Sequence, residues 1–192
     1  MMRRWFVGLG ILALMLAGCQ SEPHVSATVS NVPLSTQKVN AQLGEVLVSI
    51  APVSEQQGYM RPEVQALVPM WRESVMDSLT RSQVFTVGAT QKMDVRVKII
   101  QLSQTRNPDL GVSTTAVASY EVIDSATGEV KWVRGISSSS TVSYQQEPVQ
   151  SARDRVSLNR AIQANIAQFV QLYGHVEVEY QRVPEGQLRI QQ

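Results

Sequence analysis

The sequence predicts an α+β domain, a mixed and largely antiparallel sheet packed against two amphipathic helices. Three observations carry that prediction. In MDVRVKIIQL, Met93, Val95, Val97 and Ile99 alternate with Asp94, Arg96 and Lys98, the period-two pattern of a strand with one wet face. The segments STTAVASYEVID and EVKWVRGISSSSTVSY flank SATG at Ser125 to Gly128, as two long strands of a hairpin do. Leu158, Ile162, Ile166, Phe169 and Tyr173 recur at helical spacing. A helix with one apolar stripe must bury it against an apolar sheet face, so a two- or three-layer α+β architecture follows.

Taken in order, the chain opens MMRRWFVGLGILALMLAGCQ. Arg3 and Arg4 precede an uncharged apolar run of 13 residues, Trp5 to Ala17. That is the polarity order of a secretory signal, and the run is shorter than the roughly 17 to 25 residues a spanning helix needs. Export is the expectation. LAGC at Leu16 to Cys19 resembles the bacterial lipobox. The resemblance implies cleavage between Gly18 and Cys19, a diacylglyceryl thioether on the Cys19 thiol, and acylation of the new amine. Two or three acyl chains hold stably where one does not. Gln20, rather than Asp, resembles the pattern that sorts enteric lipoproteins to the outer membrane. The competing readings of Cys19, a core thiol or a nucleophile, fit its position after an apolar run poorly. A lone cysteine also makes no internal disulfide.

These readings divide the chain into a signal peptide (1–18), a lipidated N-terminus and tether (19–43), one periplasmic domain (44–180) and a polar tail (181–192). Within the tether, Val25 and Val29 alternate with small polar residues, so Val25 to Val32 also reads as an edge strand. Gly44 to Val53 is a strand with Val46, Val48 and Ile50 on one face and Leu47 adding apolarity to the other. Pro62 suits a first helical turn. Trp71, Val75 and Leu79 mark a helix from about Pro69 to Thr80, with Val64 to Val68 an earlier turn or a separate short helix broken at Pro69. Val84 to Val87 reads as a short strand, and Arg106 to Gly111, RNPDLG, as a loop. In the last helix Ser151 and Asp154 resemble a capping pair and Gly174 a C-cap. HVEVEY, His175 to Tyr180, alternates as a further strand.

Without Arg3 and Arg4, the 17 Lys and Arg fall to 15 against 16 Asp and Glu, which leaves no basic footprint for nucleic acid. His24 and His175 stand far apart and no carboxylate cluster has ligand spacing, so neither metal nor cofactor is predicted. A Ser/His/Asp set assembled from His175, a serine and Asp94 or Asp109 lacks a G-x-S-x-G elbow. The Ser-rich stretch ISSSSTV reads as a solvated strand face. Trp132, Tyr59 and Met60 are open to two readings, core packing or a contact patch.

The run SLTRSQVFTV, MDVRVKIIQLSQ, ASYEVIDSATGEVKWV and a long final helix is similar to the domain of the curli secretion channel lipoprotein and the lipoprotein activators of penicillin-binding proteins. The residues carrying the hairpin resemblance are Val122, Asp124, Thr127, Gly128, Glu129, Val130 and Trp132. It implies the same fold over roughly Gly44 to Tyr173 and no catalytic residue. Function is therefore read as a non-enzymatic lipoprotein. It is held through Cys19 on the periplasmic face of the outer membrane, with that membrane and an envelope protein as partners. The alternative is a structural or oligomeric subunit of an envelope or secretion assembly, pairing through Val25 to Val32 or HVEVEY as edges. An enzyme acting on cell wall or lipid is the third reading.

Overall fold

The structure is a computed structural model that describes residues 25–180, with side chains through residue 175. Cys19, His24, the signal and the polar tail lie outside the described residues. Four strands, β1 (Gln42–Ile50), β2 (Lys92–Asn107), β3 (Gly111–Asp124) and β4 (Val130–Val142), form one sheet in the order β1-β2-β3-β4. β1 runs parallel to β2, and the other pairs are antiparallel. Helices α1 (Val68–Ser82) and α2 (Gln150–Tyr180) cover one face, and the other face is open. The mixed α+β sandwich expected from the pattern is the observed fold.

β2 shows how the alternation works. Met93, Val95, Val97 and Ile99 are buried, and then a register shift between Ile99 and Gln101 admits one extra residue. This bulge resets the period, so that Leu102 returns to the covered side. RNPDLG is reduced to a tight turn, because β2 continues through Asn107 and β3 starts at Gly111. Asn107 Oδ1 accepts the backbone N–H groups of Asp109 at 2.8 Å and Leu110 at 3.2 Å. Gly111 has φ +102°, and a Cβ there would stand 2.2 Å from the Val142 carbonyl oxygen, so only glycine closes the turn.

The SATG turn joins β3 to β4 as expected. Asp124 Oδ1 accepts from the N–H of Ala126 and of Thr127, and Gly128 takes φ +74°. At the parallel edge a second register shift falls between Leu43 and Val46. Asp94 Oδ1 holds it by accepting the Glu45 N–H at 2.8 Å and the Ser125 hydroxyl at 2.7 Å.

Several local expectations are corrected. Val84 to Val87 is not a strand: only Phe85 makes a single parallel bridge, to Val39. The separate short segment before Pro69 is as expected: Pro62 opens a 3-10 turn, Pro62–Leu67, and Pro69 lies in the first turn of α1, where its missing N–H is no loss. Leu47 on the outer face is 42% exposed, so its cover there is only partial. HVEVEY is the last stretch of α2 rather than a strand, and Gly174 is inside that helix rather than its cap. The glycine has another cause, since a Cβ at 174 would lie 2.9 Å from Ser35 Oγ. Ser151 is within the first turn, and Asp154 pairs with Arg106 at 2.8 Å instead of capping.

Val25 to Val32 is also not an edge strand. Residues 25–41 form a strap laid over both helices, burying Ala27, Val29, Val39 and Ala41. Its period-two burial is therefore genuine, but its backbone is satisfied by helix side chains and ends rather than by a neighbouring strand. Gln163 Nε2 donates to Ser26 O at 3.3 Å and Thr28 O at 2.9 Å, and the Arg81 guanidinium donates to Val29 O. Ser35 N–H reaches Ser82 O, and Val39 N–H reaches Val84 O, both at 2.7 Å.

Candidate functional site

The most concentrated polar chemistry of the interior is a chain of hydrogen bonds joining four elements. Trp71 Nε1–H of α1 donates to Tyr120 Oη at 3.3 Å, and that hydroxyl donates to Asn165 Oδ1 of α2 at 2.8 Å. Asn165 Nδ2 then donates to Ala116 O at 3.1 Å and Ile136 O at 3.0 Å. Tyr120 and Asn165 are fully buried. Burial pushes the Tyr120 phenol well above its ordinary range, against the smaller opposing effect of the Trp71 hydrogen bond. A buried phenol whose hydrogen-bonding capacity is met by an indole and an amide has no base beside it. Its chemistry is structural.

The Ser/His/Asp set conceived on paper is not brought together. Asp94 clamps the β1 bulge beside the β3–β4 turn, while Asp109 lies in the β2–β3 turn at the other end of β2. His175 is on the outside of α2, its Nδ1 at 2.6 Å from Gln171 O. Among the described residues no group of three His, Cys, Asp or Glu is placed to hold a metal ion. Asp124 is a turn carboxylate. The Gln91 side-chain amide and the backbone N–H groups of Thr127 and Ala126 hold its carboxyl below the usual range.

Trp132 proves to be core. It is 8% exposed and packs against Phe169, with ring centroids 5.6 Å apart, and Tyr173, at 5.5 Å. Tyr59 remains exposed, whereas Met60 is packed against the core cluster. The Ser-rich strand divides by face. Ser138 Oγ donates to Ala161 O at 2.8 Å on the helix side, while Ser137 and Ser139 are exposed on the open side.

Two kinds of accessible surface remain. One is a groove of about 710 Å³ between the strap, the start of β1 and the end of α1. Leu43, Leu79 and Phe85 supply its apolar part, Thr80 and Gln83 its polar part, and Lys38 is the single ionisable side chain among its described lining residues. The other is the open sheet face. Its cross-strand rows run Arg96, Glu121, Val133; Gln101, Val117, Ser137; Ser103, Thr115, Ser139; and Thr105, Ser113, Thr141. Charge is confined to one end, where Arg96 meets Glu121 at 3.7 Å and Lys98 meets Glu55 at 3.2 Å. Towards the β2–β3 turn the face becomes a grid of small hydroxyls. The sequence signal for it was the polar half of each alternating strand, which identifies the residues but not their alignment across strands.

No protein-family model matches this sequence, and neither does any curated protein. Solved structures do overlap with it. Protein XCC0632 from Xanthomonas campestris, of the DUF330 family, superposes with a TM-score of 0.55 at 13% identity, over 79% of this chain and 96% of that one. That likeness shows a shared fold. The PelC dodecamer subunit from Paraburkholderia phytofirmans overlaps more loosely, with a TM-score of 0.44 at 13% identity over 73% and 92% of the two chains. A minor lipoprotein from Acinetobacter baumannii gives 0.39 at 10% identity over 71% and 92%. Neither of these looser overlaps bears on function.

Proposed function

We propose that the chain is a non-enzymatic lipoprotein, anchored through acylated Cys19 to the periplasmic face of the outer membrane, whose α+β domain binds another envelope component. The observation that carries this reading is LAGC at Leu16 to Cys19, directly after the uncharged apolar run behind Arg3 and Arg4. The sequence likeness to the curli-channel and penicillin-binding-protein-activator lipoprotein domains supports it, through the helix, the long strand, the hairpin and the final helix that they share with the chain. Anchoring concentrates the domain on partners within reach of the membrane.

Mass spectrometry of the native product tests the anchor. Acyl groups on Cys19 are expected, and Cys19→Ala should leave the membrane fraction. A free thiol at position 19 overturns the reading. In-cell crosslinking followed by co-purification tests the partner.

A second reading, assembly of copies through a sheet edge, is favoured by β4. This outermost strand runs 13 residues, and its stretch Gly135 to Val142 holds no charge and no proline, the features that ordinarily guard an edge. Light scattering on the soluble domain decides between the two: a monomer across micromolar concentrations removes the assembly reading.

A further inference from the structure

The strap changes how far the domain can stand from its anchor. If Cys19 carries the lipid, six residue steps separate the anchor from Val25, where the strap begins. Fully extended, those steps span at most about 20 Å. They end on the helical side, because Ser26 and Thr28 are held by Gln163 of α2 and Val29 by Arg81 of α1. Turning the open sheet face to the bilayer would interpose the helix and sheet layers, roughly 20 Å of protein, between the strap and the membrane, as much as the whole extended leash before it rounds an edge. The leash is too short for that.

The surface brought to the bilayer also has suitable chemistry. The strap from residue 25 to 41 and α2 from residue 155 to 175 contain no Asp or Glu, and hold Lys38, Arg155 and Arg160. Leu34 is 67% exposed and Leu172 40% exposed on that side. Cations and scattered apolar side chains suit an anionic or zwitterionic headgroup layer. The acids nearest this side, Asp77 and Asp154, are neutralised by Arg81 and Arg106, and Glu55, Glu121 and Glu129 stand in the ion pairs of the sheet strands and the loop beside them.

Resting on the anchorage reading, we propose that the strap and the outer side of α2 lie against the phospholipid headgroups of the anchoring leaflet. The open sheet face, with its hydroxyl grid, is then directed away from the membrane and is the side presented to a protein partner.

The full acylated chain, reconstituted in vesicles of phosphatidylethanolamine and phosphatidylglycerol, tests this orientation. With Cys19 acylated, an introduced cysteine is the one reactive thiol. A fluorophore is placed on Leu172→Cys or Gln168→Cys for the helical side, and on Ser137→Cys for the sheet face. Spin-labelled headgroups should quench both helical-side probes at least about twofold more than the sheet probe. Equal quenching, or stronger quenching of the sheet probe, in protein whose mass shows the acyl groups overturns the orientation and leaves the anchor standing. A mass without acyl groups overturns both.

Discussion

The two halves of α2 hold the same sheet by different means. Its C-terminal half is joined by aromatic packing: Phe169 stacks on Tyr120 with centroids 4.3 Å apart, and Tyr173 lies 5.5 Å from Trp132 and 5.7 Å from Phe85. Its N-terminal half is joined by hydroxyls. Ser157 Oγ donates to Ser140 O and meets Thr114 Oγ1, both at 2.8 Å, while Ser138 Oγ reaches Ala161 O at the same distance. Gln104 Nε2 adds a bond to Asp154 O, again at 2.8 Å. Asn165 stands where the two regimes meet. Small hydroxyls let helix and sheet approach closely, and their donors are satisfied only at that approach, so this half gains geometric definition at modest energy. The aromatic half supplies the larger area taken out of water.

Four substitutions break or sharpen this contrast, beginning with the largest. Phe169→Ala should cost about 3–5 kcal/mol, read from denaturant midpoints, because it opens a cavity against Tyr120 and Trp132. Asn165→Leu should cost about 2 kcal/mol, since it strands the Ala116 and Ile136 carbonyls without their side-chain donor. Ser157→Ala should cost about 1 kcal/mol. A Ser157→Ala loss as great as that of Phe169→Ala would erase the distinction between the halves.

Tyr120→Phe should be the mildest at neutral pH, about 1 kcal/mol or less, with its signature in alkali. Burial holds the folded phenol protonated, while tyrosines of the unfolded chain ionise near pH 10. Above about pH 10 the unfolded state therefore binds fewer protons than the folded state, and stability falls as pH rises. Below that pH the effect vanishes. The Phe variant should lose part of this alkaline decline in a pH series of melting curves, and an unchanged slope would show that the decline has another source.

The aromatic half was legible in the sequence and the hydroxyl half was not. Large apolar residues at helical spacing announce a buried stripe, and Ile166, Phe169 and Tyr173 carry it. Ser157 and Ser138 carry no such signal, because a serine in an alternating strand reads equally as solvated or as bonded to a helix. The strap misled for a related reason. Its valines alternate as a strand's do, but burial against helices produces the same period when the backbone bonds go to side chains. Gly174 and HVEVEY show the weight of context, since the glycine makes room for Ser35 and the helix continues through an alternating stretch. At the surface, the residues of the open face were readable one strand at a time. Their assembly into a hydroxyl grid depended on registers, and on a bulge at Ile100, that no local pattern specifies.

The bond from Gln163 to Thr28 spans 135 positions. A chain made from its N-terminus exposes the strap first and receives its seat on α2 last. Closing so long a loop is slow relative to forming the β2–β3–β4 meander, whose contacts are local. The strap is therefore the last segment to dock, drawn onto the domain only when the completed helix supplies its seat.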